Sequence, residues 1–166
     1  LKVGDTYEES VPNIQFGRIA AQTAKQVIVQ RVKDAERNLI IDRFKHRVGE
    51  LLNGTVKKVT RDHIVVDFGD NAEGLLPRED LVGREIFRIN DRTRVILTGI
   101  REETRGPQLQ ISRAAPEMLV QLFQIEVPEI AEGVIEIKGA ARDPGQRAKI
   151  AVKTKDARID PVGACV

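Results

Sequence analysis

The chain has 166 residues, 41% of them hydrophobic, and a formal net charge of +2 from 27 lysines and arginines against 25 acids. That length admits one ordinary domain or two small ones with enough apolar content to bury a core. So even a balance argues against a protein that grips duplex nucleic acid through many phosphates. The balance also holds locally: nine basic and six acidic side chains over residues 1–48, eleven of each over 49–113, and seven against eight over 114–166. No run of about eighteen apolar residues and no charged-then-apolar leader is found, which predicts neither a membrane span nor a secretory signal. The single cysteine, Cys165, fits a reducing, cytoplasmic location and reads as a small apolar residue, not a nucleophile.

The chain opens on Leu1-Lys2-Val3, which reads as the last strand of a domain whose beginning is absent, so a fragment is expected. Asn13 is placed to cap a helix. From about Phe16 to Arg47 there is no proline and one glycine, Gly17, which predicts one long helix able to bridge two bodies. Ala20, Ala24, Ile28, Val32, Ala35 and Leu39 form one apolar stripe, and Ile41, Phe44 and Val48 lie on another side near the end. The first stripe is expected to serve the missing domain and the second the body that follows. Lys25, Arg31, Lys33, Arg37, Arg43, Lys45 and Arg47 are interleaved with Asp34, Glu36 and Asp42, as on a solvated face, with a phosphate-contacting stripe as the alternative.

Residues 49–113 carry period-two apolar bursts at Thr55–Val59, His63–Phe68, Val95–Ile100 and Gln108–Ser112, each bounded by Gly, Asp, Asn or Pro. Alternation predicts Ile64, Val66, Phe68, Leu109 and Ile111 inside, with His63, Val65, Asp67, Gln108, Gln110 and Ser112 outside. A turn over Gly69–Gly74 leads to Leu75-Leu76-Pro77, where Pro77 suits a strand end or a short helical turn. Five strands so interrupted predict an OB-type barrel. The order Gly54-x-Val56, Ile64-Val65-Val66-Asp67-Phe68-Gly69, Glu73-Gly74-Leu75-Leu76-Pro77, Gln108-Leu109-Gln110-Ile111-Ser112-Arg113 resembles the S1 RNA-binding domain.

Pro116-Glu117 opens a second predicted helix with Met118, Leu119, Leu122, Phe123 and Ile125 on its apolar side. Val134–Lys138 and Ala148–Lys153 alternate as strands, joined by a turn through Asp143-Pro144-Gly145. Pro116-Glu117-Met118-Leu119, Glu126-Val127-Pro128-Glu129-Ile130, Ala141-Arg142-Asp143-Pro144-Gly145 and Asp160-Pro161-Val162-Gly163-Ala164-Cys165-Val166 resemble the junction between the S1 and first KH domains of the NusA family of bacterial transcription factors. With Thr23–Ile28 and Val32–Arg37 of the long helix, the resemblance covers essentially the whole chain. It implies an α+β multidomain fragment: the end of an N-terminal domain and connecting helix over 1–48, an S1 barrel over 49–114, and a truncated type II KH unit of helix, strand, strand over 115–166. It also implies that the KH loop gripping RNA follows just beyond Val166, so the last portion is expected to be poorly packed or to lean on a neighbour.

S1 domains that bind single strands usually stack bases on aromatics of the barrel face. Here Asp62 and Val65 stand where many carry Phe or Tyr, and Pro77 where His is frequent, so the platform is largely absent. The candidate RNA contacts are Lys57, Lys58, Arg61, His63 and Arg113, each with an ordinary surface role as its alternative. Two histidines, His46 and His63, and one cysteine make no typical zinc site, and no GxxxxGK[ST] loop is present. No enzyme and no cofactor are expected. The resemblance implies RNA polymerase, nascent single-stranded RNA and other antitermination factors as partners. The alternative is an accessory S1–KH module of an RNA-degrading or translation-associated protein.

Overall fold

The computed structural model describes residues 6, 8–13, 17–101 and 106–166. The strand expected at Leu1–Val3 lies outside them. The long helix, α1, runs Arg18–Phe44, followed by a 3-10 turn at Lys45–Arg47. It starts five residues past Asn13, so Asn13 is not its cap; the Gly17 carbonyl accepts the first helical N–H, from Ala21. Two compact units divide at Glu36/Arg37. In the first, the stripe Ala20, Ala24, Ile28, Val32, Ala35 is exposed along its length.

In the second unit the last turns of α1 join the barrel core. Ile40 and Phe44, one turn apart, are the buried pair. The expected set was Ile41, Phe44 and Val48, but Ile41 is half-buried and Val48 exposed, because the helix ends at Phe44 and Val48 is already extended. The barrel comprises β1 (Leu51–Val59), β2 (His63–Asp67), β3 (Glu73–Pro77), β4 (Arg92–Ile100) and β5 (Leu109–Ser112), closed in the order β1-β2-β3-β5-β4. Only β3 and β5 pair in parallel. Closure removes every free strand edge.

Its core is Leu52, Val56, Ile64, Val66, Leu76, Val95, Leu97, Leu109 and Ile111, with Phe68 packed against it. Phe68 seats because two positions lack side chains: a Cβ on Gly54 would lie 2.8 Å from its Cε1, and one on Gly74 2.7 Å from its Cε2. Phe44 meets the same ring at 6.5 Å between centroids, so the helix end plugs one mouth of the barrel. Asp70 and Asn71, both in left-handed conformation, make the β2–β3 turn, closed by the Ala72 N–H donating to Gly69 O.

Two burial expectations are corrected. Val65 points outward yet is 7% exposed, because Lys58 and Leu75 flank it across β1 and β3 and a lysine stem covers apolar surface. Ser112 is 3% exposed because the chain folds back there, its Oγ accepting the Ala114 and Ala115 N–H groups.

Beyond the barrel, α2 (Pro116–Glu126) begins with Pro at its first turn and lies against β4, where outward-facing Ile96 is 1% exposed. A short α3 (Pro128–Ala131) follows, unforeseen in the sequence, then the hairpin β6 (Ile135–Asp143) and β7 (Arg147–Thr154). The expected turn is there: Gly145 has φ +79° and Gln146 N–H donates to Asp143 O. A small core of Val127, Ile130 and Ile135 joins the helices to one hairpin face. No residue of β7 is fully buried. The hairpin tip leans on the barrel itself, since a Cβ on Gly145 would be 3.2 Å from Gly83 N.

Candidate nucleic-acid interface

A β-bulge at Lys57 breaks the β1–β2 register between Val56 and Lys58. The extra residue interrupts the alternation, so consecutive lysines 57 and 58 both face solvent. Lys57 Nζ pairs with Glu73 Oε1 at 2.5 Å, and that carboxylate raises its pKa. Arg61 stands exposed at the β1–β2 turn, which Thr60 clips by donating its hydroxyl to His63 O and accepting the His63 N–H. His63 opens β2 half-buried, opposite Pro77. Four of the five candidates therefore share the β1–β2 hairpin.

Arg113 is engaged elsewhere. Its Nε and Nη2 donate to the two carboxylate oxygens of Glu85 at 2.8 and 2.6 Å, its Nη1 donates to Thr93 Oγ1 and Arg94 O, and its Cζ lies 5.5 Å from the Phe87 ring centroid. The side chain is 18% exposed. Burial pushes the Glu85 carboxyl up, but the Arg113 guanidinium, the Val82 N–H and the Arg142 charge together hold it below its ordinary value. Arg142, from β6, donates to Arg113 O at 2.8 Å. Arg113 thus ties the barrel to the hairpin. Nothing in the sequence signals this, because Glu85 and Arg142 lie nearly thirty residues away on either side. Nearby, Asp80 is shifted the other way, raised by burial and by the Glu79 charge against a hydrogen bond with Ser112.

The aromatic platform is missing from the surface: among the described residues no phenylalanine is exposed, while Asp62 is exposed, Val65 buried and Pro77 half-buried. Among them, too, no three His, Cys, Asp or Glu side chains gather as a metal site, and no helix is long and apolar enough to cross a membrane. Two basic residues escaped the sequence reading. Arg92 and Arg94 belong to β4, which begins three residues earlier than its apolar burst suggested.

Residues 1–38 match the NusA N-terminal domain, 45–112 the S1 RNA binding domain, and 113–166 the NusA-like first KH domain. The transcription termination/antitermination proteins NusA of Rickettsia conorii (strain ATCC VR-613 / Malish 7) and Rickettsia prowazekii (strain Madrid E) are each 48% identical to the chain over 165 residues, 99% of it. The chain spans about a third of the length of these curated relatives, 33% of each. A solved structure, protein MJ1198 from Methanocaldococcus jannaschii, is 17% identical over 37% of the chain and 84% of its own, with a TM-score of 0.34, too slight a likeness to argue from. The three domain matches tile the chain in order and the two relatives run through all of them: the chain belongs to the NusA family.

Proposed function

We propose that the chain is the RNA-handling middle of a NusA-type elongation factor, which modulates pausing, termination and antitermination by holding S1 and KH domains against nascent RNA at RNA polymerase. The carrying observation is the order of the matches, N-terminal, S1, then first KH. That order favours this reading over an accessory module of an RNA-degrading or translation protein. In this reading residues 1–48 close the polymerase-binding domain and connect it onward, 49–114 form the S1 unit and 115–166 start the KH unit. The RNA contacts are Lys57, Lys58, Arg61 and His63 on the β1–β2 hairpin. Arg113, with its guanidinium committed to Glu85 and Thr93, contributes by fixing the barrel to the KH hairpin.

The mechanism is tethering without chemistry. Contacts that are weak in free solution act at high effective concentration once the protein is held on polymerase. Polymerase, nascent RNA and other antitermination factors are the partners, in the cytoplasm. The test is transcription in vitro with the full-length protein on a template bearing a hairpin pause and a terminator, alongside capture of core polymerase. Longer pausing and altered readthrough support the reading. Capture of ribosomes or of an RNA-degrading complex, with no effect on elongation, overturns it.

A further inference from the structure

We infer that an open groove on the β1–β4 wall of the barrel, at the far end of β1 and β2 from their connecting turn, holds the phosphodiester backbone of single-stranded RNA, gripped by Arg92 and Arg94. The groove encloses about 760 Å³, with Asn53 and Thr55 of β1 on one side, Arg92 and Arg94 of β4 on the other, and Asp67 at its rim. The register sets Thr55 opposite Arg92 and Asn53 opposite Arg94. Thr93 and Val95 are buried, so alternation turns both arginines outward.

Several cations on or beside the barrel are neutralised by a neighbouring carboxylate, whereas these two, like Lys58, Arg61, Arg84 and Arg88, are not. Arg43, Arg47, Lys57 and Arg113 each pair with a carboxylate. Among the described residues, the Arg92 side chain has no hydrogen-bond or ion-pair partner, and the Arg94 side chain meets only the neutral Asn53 Oδ1, at 3.3 Å. Asp67 is the one carboxylate lining the groove, and its Oδ1 accepts the Gly69 N–H at 3.0 Å. One positive charge is left over.

The lining favours RNA over an acidic protein segment. Guanidinium forks match phosphate oxygens two at a time, and alternate residues of one strand stand about 7 Å apart, so neighbouring phosphates of an extended strand can each meet one arginine. The Asn53 amide and Thr55 hydroxyl add neutral donors. Asp67 supplies an acceptor that a phosphate cannot use and a ribose 2′-hydroxyl can.

This inference rests on the barrel's being an RNA binder, and the experiment separates the two. Fluorescent oligouridine is titrated into the 166-residue chain across a series of salt concentrations, with R92A/R94A, R92K/R94K and K57A/K58A/R61A variants alongside. R92A/R94A is expected to weaken binding roughly tenfold and to flatten the slope of log K against log salt by about 1.4, the value for two lost single-strand phosphate contacts. R92K/R94K should restore the salt slope but only part of the affinity, because an ammonium keeps the charge and loses the two-pronged contact. Unchanged affinity and slope in R92A/R94A, with loss in the hairpin variant, overturns the groove and leaves the barrel an RNA binder. No binding by the unaltered chain overturns both. Displacement of oligouridine by polyglutamate as readily as by oligouridine itself, at one ionic strength, also overturns it and assigns the groove to an acidic protein.

Discussion

Phe68 shows how narrowly single residues set this barrel. A methyl group added at Gly74 would press on Phe68 Cε2 at 2.7 Å and Ile111 Cδ1 at 2.9 Å, both side-chain atoms. One added at Gly54 would meet Val66 Cγ1 at 2.5 Å and the Asp67 backbone carbonyl at 2.9 Å, which cannot swing aside. Gly74→Ala should therefore cost about 1–3 kcal/mol and Gly54→Ala more, read from thermal or urea melts, since overpacking forces neighbours off their rotamers. Phe68→Leu should partly rescue Gly74→Ala and not Gly54→Ala. Equal rescue of both would show that the ring, and not the Asp67 carbonyl, is the obstacle at Gly54 as well. The Glu85–Arg113 pair adds a pH dependence. Its folded carboxyl holds its proton less tightly than the unfolded chain does, so its stabilisation is whole above the ordinary carboxylate value and drains away as pH falls through the lowered one. Asp80 works in the opposite sense, its burial opposing the folded state at neutral pH and the penalty lifting as it protonates. Glu85→Gln should flatten the acid limb of the stability curve, while Asp80→Asn should raise stability near pH 7 and steepen that limb.

At the scale of elements, the hairpin β6–β7 is secured against the rest of the second unit mainly from one face. One face meets α2 and α3 through Ile135, Ile137 and Val152, and the rest depends on its tip against Gly83 and on Arg142 reaching Arg113 O. Its amides should exchange with solvent well ahead of those in β1, β2 and β4, because local opening there exposes little apolar surface. Arg142→Ala should speed exchange in β6 and β7 further while leaving barrel protection unchanged; equal protection in hairpin and barrel would contradict this packing. Legibility divided along the same physical line. Strands with an apolar face, such as Ile64-Val65-Val66 and Leu109-Gln110-Ile111, could be read because burial imposes alternation. The start of β4 at Arg92-Thr93-Arg94 and the extension of β6 to Asp143 could not, since their outward residues are polar or small and carry no period. The bulge at Lys57 was hidden for a related reason: it is a backbone event, and two lysines in a row look the same in a loop.

For the molecule as a whole, Lys57, Lys58 and Arg61 were legible as exposed basic residues, whereas the half-burial of His63, the groove and the Arg113 tie were not, because these depend on residues brought together from distant strands. What composition does convey is the strength to expect of the interaction. A net charge of +2 is spread with little local excess, and among the described residues no phenylalanine is exposed, Phe68 being half-buried where it lines the groove, so neither phosphate attraction nor base stacking is expected to be large. Three to five phosphate contacts give a salt slope of about −2 to −3.5 on a single strand. The chain alone should then bind oligouridine no more tightly than micromolar near 150 mM salt. A full-length protein carrying further RNA-binding domains in fixed succession should gain about 10²–10⁴ by avidity, without any stronger contact in this barrel. Titrating both proteins with the same RNA at several salt concentrations checks this directly. Nanomolar affinity in the isolated chain, or an affinity in the long protein no better than here, would mean that one high-affinity site does the work that several weak ones are expected to share.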